Sequence, residues 1–320
     1  MIDFQYLQTG LNGLARAHRA NTMAGHLGAA VVAGVFFSED HPDLESKVVT
    51  EIQGELDRII SGGEKFWFDQ EKAGITIEEL FQPLPGAPPR EEAIPDIGVT
   101  LAADIDQLRQ SGHDVIFAAI ALRALHDHPE AATPAVVQGI RKLISGFHNA
   151  AQGRGYYGKE RGWIQGASVK LDDEAGSDVP VYGDEDAMVE TVLEELIATA
   201  GIRRRGFGGL FHLINHAAAL VELSRLGYRG LARQGLPAHH RHLRLIRSLP
   251  DVEGELGPLE KTDLDPRTAD YWESDRDSEQ WSAHLTHRIK TLYGFHTILP
   301  YLHDKAKSKK AQESLLYLMA

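Results

Sequence analysis

Cysteine is absent from this 320-residue sequence, which excludes disulfides, thiolate nucleophiles, zinc fingers and iron–sulfur clusters. Any metal ion must therefore be held by histidine and carboxylate side chains. Basic residues are also few, since 33 Lys and Arg stand against 46 Asp and Glu. The resulting formal net charge of -13 repels a phosphate backbone, so we expect no nucleic-acid partner.

Long apolar runs and β-type alternation are missing as well. No window reaches 18 uninterrupted apolar residues, and Met1 to Gly10 lacks the basic and apolar regions of a signal peptide. We therefore expect a cytoplasmic protein without a membrane partner. No segment alternates apolar and polar residues for long enough to predict a sheet, so the sequence predicts an all-α fold.

A recurring block of sequence organises the chain. A histidine opens an apolar, Ala-rich stretch, and in the first two copies a His-Pro pair begins 15 residues after that histidine. The marker histidines of the four copies are His26, His113, His212 and His296. The pattern predicts one helical-repeat domain over residues 1–320 with units of roughly 1–90, 91–180, 181–275 and 276–320.

Each unit is predicted to contain repeated helical hairpins. The stretches after three of the markers are apolar on nearly every face, so we expect inner helices at 27–37, 114–125 and 213–226. Single apolar stripes predict outer helices at 48–60 and 135–144. Amphipathic helices are expected before the markers, at 6–17, 101–110, 187–200 and 280–292.

The marker histidines are the candidate chemical centre, because imidazoles at one position of several inner helices converge if the units close into a ring. We predict His26, His113, His212, His216 and His296 as ligands of a divalent metal ion. His212 and His216 are four residues apart on one helix face, and together with His113 they are the predicted catalytic residues. The alternative is a structural role, in which each histidine caps or packs a helix.

Two further segments bear on function. The long connection 146–186 holds Arg154, Tyr156, Tyr157 and Trp163, which we predict to bind substrate as a lid over the pocket. The basic segment 225–247, with His239, His240 and His242, is predicted to be a solvated helix face, or a surface that docks an acidic partner or a second subunit.

The long helical repeats with Ala-rich inner helices resemble the α/α-toroid enzymes in architecture. The stretches 211–226 and 287–302 are similar to the His-bearing helices of questin-oxidase-like proteins, which are helical enzymes acting on polyketide-derived aromatic compounds. This resemblance implies oxidative chemistry on a flat aromatic substrate.

The leading hypothesis is therefore an enzyme that acts on a small, largely apolar molecule, aromatic or terpenoid-like, in a His-lined pocket, with metal-assisted or oxidoreductase chemistry. A glycan-active toroid enzyme is one alternative, although it needs a pair of carboxylates. The other alternative is a non-enzymatic helical-repeat scaffold that binds proteins, and homo-oligomers fit either reading.

Overall fold

The computed structural model describes residues 1–172, 179–274 and 282–320. The described chain forms two compact units. The first unit comprises Met1–Ala103, Phe117–Phe147 and Leu264–Tyr293, and the second comprises Asp104–Ile116, His148–Asp263 and Gly294–Ala320.

The all-α prediction is confirmed, since most of the described chain is helical. The first unit holds α1 (Phe4–Ala20), α2 (Gly25–Asp40), α3 (Ser46–Ile60), α4 (Gln70–Ala73), α5 (Ile77–Phe81), α6 (Pro95–Leu101), α8 (Pro134–Ser145) and α14 (Ala269–Ser274). The second unit holds α9 (Gly158–Arg161), α10 (Glu185–Thr199), α11 (Gly209–Arg225), α12 (Arg229–Arg247), α13 (Glu253–Leu256) and α16 (Lys305–Leu315). Two further helices, α7 (His113–Asp127) and α15 (His284–Ile298), have residues in both units.

Strands are confined to one short hairpin within the described residues. β1 (Arg154–Tyr156) pairs antiparallel with β2 (Trp163–Gln165), so that Tyr156 lies opposite Trp163. This hairpin lies in the second unit and carries three of the predicted substrate-binding residues.

Helix α2 forms the centre of the first unit. Its residues from Gly25 to Ser38 are all buried, which confirms the predicted inner helix at 27–37. Helices α1 and α3 pack against α2, and α1 also packs against α8. The outer helix α3 buries a single stripe of residues spaced three or four apart, namely Val48, Ile52, Glu55, Leu56 and Ile59.

The α1–α2 contact is close because both helices have glycine where they meet. A Cβ atom at Gly28 would lie 2.6 Å from the carbonyl oxygen of Gly10 and would overlap the backbone nitrogen of Leu14. Only a residue without a side chain allows the two backbones this separation. The first unit therefore depends on glycine at this crossing.

Helix α11 is the buried helix of the second unit. Its residues 212–223 are all buried, which confirms the predicted inner helix at 213–226, and it packs against α10 and α12. The predicted inner helix at 114–125 is buried at every residue except Arg123.

Two helix predictions are wrong. The helix predicted at 101–110 ends at Leu101, because the chain then turns and Gln110 and Ser111 take positive φ angles that an α-helix excludes. His296 does not open a fourth inner helix, since it lies in the last turn of α15, where Pro300 prevents further helix. The start of the helix predicted at 280–292 lies outside the described residues.

One helical stretch, Thr22–Asp40, is long and apolar enough to cross a membrane by length and composition. In this structure 83% of its window is buried inside the protein, as expected for the core helix α2. The absence of a membrane partner stays a prediction.

Substitution of Gly28 by Ala should lower the free energy of unfolding by about 2–3 kcal/mol, because the new methyl group overlaps backbone atoms of α1. The matched control is Gly54→Ala on α3, where no atom lies within 4 Å of the new Cβ and where Ala should add about 0.5–1 kcal/mol. Urea denaturation of both variants measures the difference. Equal stabilities would show that the α1–α2 crossing adapts to a side chain.

Candidate metal centre

The three predicted catalytic histidines lie together in the second unit. His113 is the first residue of α7, and His212 and His216 lie one turn apart on α11. The ring centroids of His113 and His212 are 4.4 Å apart, and ligand nitrogens of these two residues lie within 4.8 Å of each other. His113 also disfavours protonation of His216 electrostatically. These three imidazoles belong to one buried cluster.

The other two predicted metal ligands lie on α2 and α15. His26 is the second residue of α2, in the first unit. His296 is half-buried on α15, with its ring 5.5 Å from that of Phe295. The convergence of all four marker histidines on one interior space spans both units and stays a prediction.

Helix α12 adds two histidines that the sequence interpretation assigned to the surface. His239 and His242 are fully buried, with ring centroids 5.0 Å and 5.8 Å from that of His216. The solvated-face prediction for segment 225–247 is therefore wrong for these residues. A signal was present, because His239 follows Leu236 by three residues and precedes Leu243 by four, which places it on the apolar stripe of an amphipathic helix.

In three of these imidazoles, a hydrogen bond to a backbone carbonyl determines which ring nitrogen carries the hydrogen. His239 Nε2 donates to Leu213 O at 3.1 Å, and His242 Nε2 donates to Phe207 O at 2.7 Å. His113 Nδ1 donates to the carbonyl of Gln110. Because a carbonyl oxygen only accepts, each of these ring nitrogens carries the hydrogen, and the second nitrogen of a neutral ring offers a lone pair.

Three histidines of this cluster have ring nitrogens without a hydrogen-bond partner in the described part of the chain. These nitrogens are Nδ1 and Nε2 of His216, Nδ1 of His239 and Nδ1 of His242. A buried polar atom without a partner costs about 1–3 kcal/mol, and such atoms are few in native proteins. Their concentration at one place requires a physical reason, and a bound ion is one.

Burial keeps these rings neutral. Desolvation, reinforced by the neighbouring histidines, holds the pKa of His216 well below its ordinary value. Desolvation also lowers the pKa of His239 to about 3 and that of His242 to about 4. Neutral imidazole, and not imidazolium, is the form that can bind a metal ion.

Left-handed backbone turns border the cluster at two places. Gln110, Ser111 and Gly112 have φ angles of 41°, 60° and 83° directly before His113. The segment 206–209, which leads into α11, has positive φ angles at all four residues, including 49° at Phe207. The carbonyls of Gln110 and Phe207 are the ones that accept from His113 and His242. Strain of this kind is typical of residues that position a functional group.

A carboxyl group adjoins the same cluster. Asp114 follows His113 on α7 and is 2% exposed, and its Oδ1 has no hydrogen-bond partner among the described residues. Desolvation raises the pKa of Asp114 to about 7, although backbone N–H groups oppose the shift. A carboxyl group with this pKa can both donate and accept a proton at neutral pH.

His26 has different neighbours in the first unit. Its Nδ1 contacts Nζ of Lys290, and its ring stacks on Trp67 with centroids 3.6 Å apart and planes inclined by 11°. The assignment of His26 as a metal ligand stays a prediction.

The four predicted substrate-binding residues form polar and stacking contacts within the second unit. The Tyr156 hydroxyl donates to Glu255 at 2.9 Å, and Tyr157 shares a hydrogen bond of 2.7 Å with Ser248. The Arg154 guanidinium lies 4.8 Å from the ring centroid of Trp163, which is 43% exposed.

A half-open cavity of about 250 Å³ lies in the first unit between α1 and residues 83–86, and none of the four predicted substrate-binding residues lines it. The lid role assigned to these residues stays a prediction.

Comparison of the chain with protein-family models, with curated proteins and with solved structures found no match. The functional interpretation therefore depends on the geometry of the described residues.

Substitution of Gly208 by Ala should displace the ring of His212, because the new Cβ would overlap that ring and because Gly208 has a φ of 71°. The control is Gly227→Ala, where φ is 92° but no atom lies within 4 Å of the new Cβ. Both variants carry the backbone penalty of about 1–2 kcal/mol. Only Gly208→Ala should also shift the ¹⁵N imidazole resonances of His212 in an NMR spectrum, and unchanged resonances would contradict the placement.

Protonation of the buried histidines should make the metal-free protein less stable in acid. The unfolded chain binds protons below a pH of about 6.5, whereas His239 and His242 stay neutral in the folded chain until their lower pKa values are reached. Stability should thus fall with decreasing pH by about 1.4 kcal/mol per pH unit for each histidine in that window.

Urea denaturation across this pH range, with a chelator present, measures the slope. The variant His242→Gln should reduce the dependence of the unfolding free energy on pH by about 1.4 kcal/mol per pH unit, which corresponds to one proton. The exposed residue His126 provides the control substitution. A slope that His242→Gln leaves unchanged would contradict the buried, neutral state of this ring.

Proposed function

We propose that this protein is a metal-dependent enzyme whose ion is bound by the buried imidazoles of the second unit. The observation that carries the proposal is the set of unpartnered nitrogens on His216, His239 and His242. Each belongs to a buried, neutral ring, and a divalent ion would satisfy several of them at once.

The spacing of the rings fits this ligand set for His216 and His239 but is too wide at His242. Imidazoles bound to one tetrahedral ion at about 2.0–2.1 Å have ring centroids about 5 Å apart. The His216–His239 separation is 5.0 Å, and the distances from His242 to these two rings are 5.8 Å and 6.4 Å. Ligation by all three rings therefore requires His242 to move closer to the other two.

The ligand chemistry favours a transition metal. Neutral imidazole nitrogens suit zinc, iron, copper or nickel, whereas magnesium and calcium prefer oxygen ligands. The hydrogen bonds from His239 and His242 to backbone carbonyls orient these rings in the way that is usual for metal-bound histidines.

The remaining groups supply proton transfer. A bound ion polarises a substrate oxygen or activates water or dioxygen. His113 and His212, with ring centroids 4.4 Å apart, and Asp114, with its raised pKa, can hold or move a proton beside that ion. His113 is already oriented by its bond to the carbonyl of Gln110.

We infer the substrate class from the surroundings of the cluster and from the sequence resemblance. The buried residues of α11, with Val115 and Ile116 at the start of α7, supply Val, Ile, Leu and Ala side chains, which favour a small and largely apolar molecule. The similarity of 211–226 and 287–302 to questin-oxidase-like helices extends the proposal to oxidation of an aromatic compound. More broadly, we propose that the protein is a cytoplasmic enzyme with a toroid-like fold.

Elemental analysis tests the metal proposal. The chain, produced without a histidine tag and purified without chelators, should contain about one transition-metal ion per molecule, or bind one equivalent of Zn²⁺ or Co²⁺ in calorimetry. Single Ala substitutions at His216, His239 and His242 should each lower the affinity by about tenfold to a hundredfold or more, because each removes a ligand.

The matched control is His240→Ala on the same helix. His240 is also buried, but its Nε2 donates to Val179 O at 3.2 Å and its ring lies against Tyr182, so metal binding should persist. Absence of metal binding in the wild-type chain would overturn the proposal and would favour the scaffold alternative. Equal losses in His240→Ala and the three ligand variants would show that the effect is structural.

A further inference from the structure

The half-open cavity of the first unit has no part in the proposed metal centre. Its volume is about 250 Å³, and it lies between α1, the segment 83–86 and the residues that lead into α8. All of its lining residues belong to the first unit, and none of them is a proposed metal ligand. Pockets for drug-sized ligands measure about 300–1,000 Å³, so this cavity fits a smaller molecule with a single ring.

One wall of the cavity is a row of polar side chains on α1. Gln5, Gln8 and Asn12 follow one another at spacings of three and four residues, which places their carboxamides on one face of the helix. In the described part of the chain, the carboxamides of Gln5 and Gln8 form no hydrogen bond to another residue. Asn12 Oδ1 accepts from the backbone N–H of Leu84 at 3.3 Å, so the two hydrogens of its Nδ2 stay available to a ligand.

Two hydroxyl groups and one carboxylate complete the polar lining. The Thr9 hydroxyl donates to the carbonyl of Gln5 at 2.8 Å, so it can still accept. The Thr133 hydroxyl accepts from Val136 N at 3.4 Å, so it can still donate. The carboxylate of Glu130, whose side chain is 57% exposed, only accepts. The lining residues therefore offer donors and acceptors side by side.

A second wall is a proline-rich strap, residues 82–90, whose two ends are fixed. Arg16 on α1 donates from Nη2 to Pro83 O at 2.8 Å. The N–H of Arg90 donates to Ala132 O at 2.8 Å, shortly before α8. Four prolines restrict the backbone of the strap between these contacts. The cavity is therefore formed before a ligand arrives, which lowers the entropic cost of binding.

The side chains of the lining exclude two classes of ligand. No lysine, arginine or histidine lines the cavity in the part of the chain that the structure describes, so no positive side chain pairs with an anion there. A purely apolar molecule would remove water from the carboxamides and hydroxyls without replacing its hydrogen bonds, which is unfavourable for each group. Leu11, Leu84 and Val136 nevertheless supply apolar contacts. The lining fits a neutral molecule that has both C–H faces and several hydroxyl groups.

We propose that this cavity binds one pyranose sugar, either free or at the end of a glycan. Each sugar hydroxyl both donates and accepts a hydrogen bond, as the mixed lining requires, and the C–H faces of the ring lie against the prolines and leucines. The half-open mouth admits both forms of the sugar. The site binds and does not cleave, because glycoside hydrolysis needs two carboxylates and Glu130 is the only one among the described lining residues.

Titration of the wild-type chain with four sugars tests the proposal by saturation-transfer NMR and calorimetry. The probes are D-glucose, D-galactose, D-mannose and N-acetyl-D-glucosamine, and at least one should bind with a Kd of about 1 mM or lower. The methyl glycoside of that sugar should bind at least as tightly if the site takes a glycan end, and severalfold more weakly if it takes a free sugar. Absence of binding by every probe at about tenfold this concentration would overturn the proposal.

The variant Gln8→Ala places the sugar in the cavity, because it removes one carboxamide and should weaken binding by about threefold to tenfold. The matched control is Gln138→Ala on α8, since Gln138 is also exposed but does not line the cavity. Both substitutions put Ala in a helix, so both variants should fold. Equal sugar affinities of the two variants would contradict this location.

Cyclohexanol tests the class of ligand, because it has a six-membered ring with a single hydroxyl group. Binding of cyclohexanol as tight as that of the best sugar would refute a polyhydroxyl site. The metal content of Gln8→Ala should equal that of the wild-type chain. Failure of the sugar proposal can therefore be recognised independently of the metal proposal.

Discussion

Desolvation of basic side chains is the physical constraint on which the chemistry of this protein depends. In the second unit it acts on His216, His239 and His242, each of which is fully buried and therefore neutral. In the first unit it acts on Lys290, whose pKa falls to about 7. Burial thus turns residues that would be cations at the surface into neutral nitrogen bases. A nitrogen lone pair is what ligation of a metal ion requires.

Small residues and backbone strain make that burial possible. Gly28 lets α1 approach α2 to backbone contact, and Gly208 leaves room for the ring of His212. The left-handed turns before His113 and at the start of α11 aim two carbonyls, those of Gln110 and Phe207, at buried histidines. A non-glycine residue in this conformation costs about 1–2 kcal/mol. The folded chain retains it where the turn also orients an imidazole, which connects the strain to the proposed function.

The sequence predicted the helices better than the site. The burial of α2 follows from its composition, since an Ala-, Gly- and Val-rich helix without a polar face must be packed on every side. His113 and His212 were found because each lies in the first turn of such a helix. The prediction that an inner helix begins at the fourth marker, His296, is wrong, because the similar local pattern there occurs at the end of a helix, before Pro300.

The missed residues share a different cause. His239 and His242 lie among six arginines between Arg225 and Arg247, and the charge of that segment conceals the apolar stripe on which the two histidines fall. Lys290 is one residue in a helix of mixed composition, and its neighbours Trp67 and His26 are more than 200 positions away in the chain. Spacing within one helix can show which face a residue occupies. Only tertiary contacts show whether its side chain is exposed to water or lies next to another basic side chain. The pKa of a buried base is set by those contacts, and so the reactive groups are the features that a single sequence shows least.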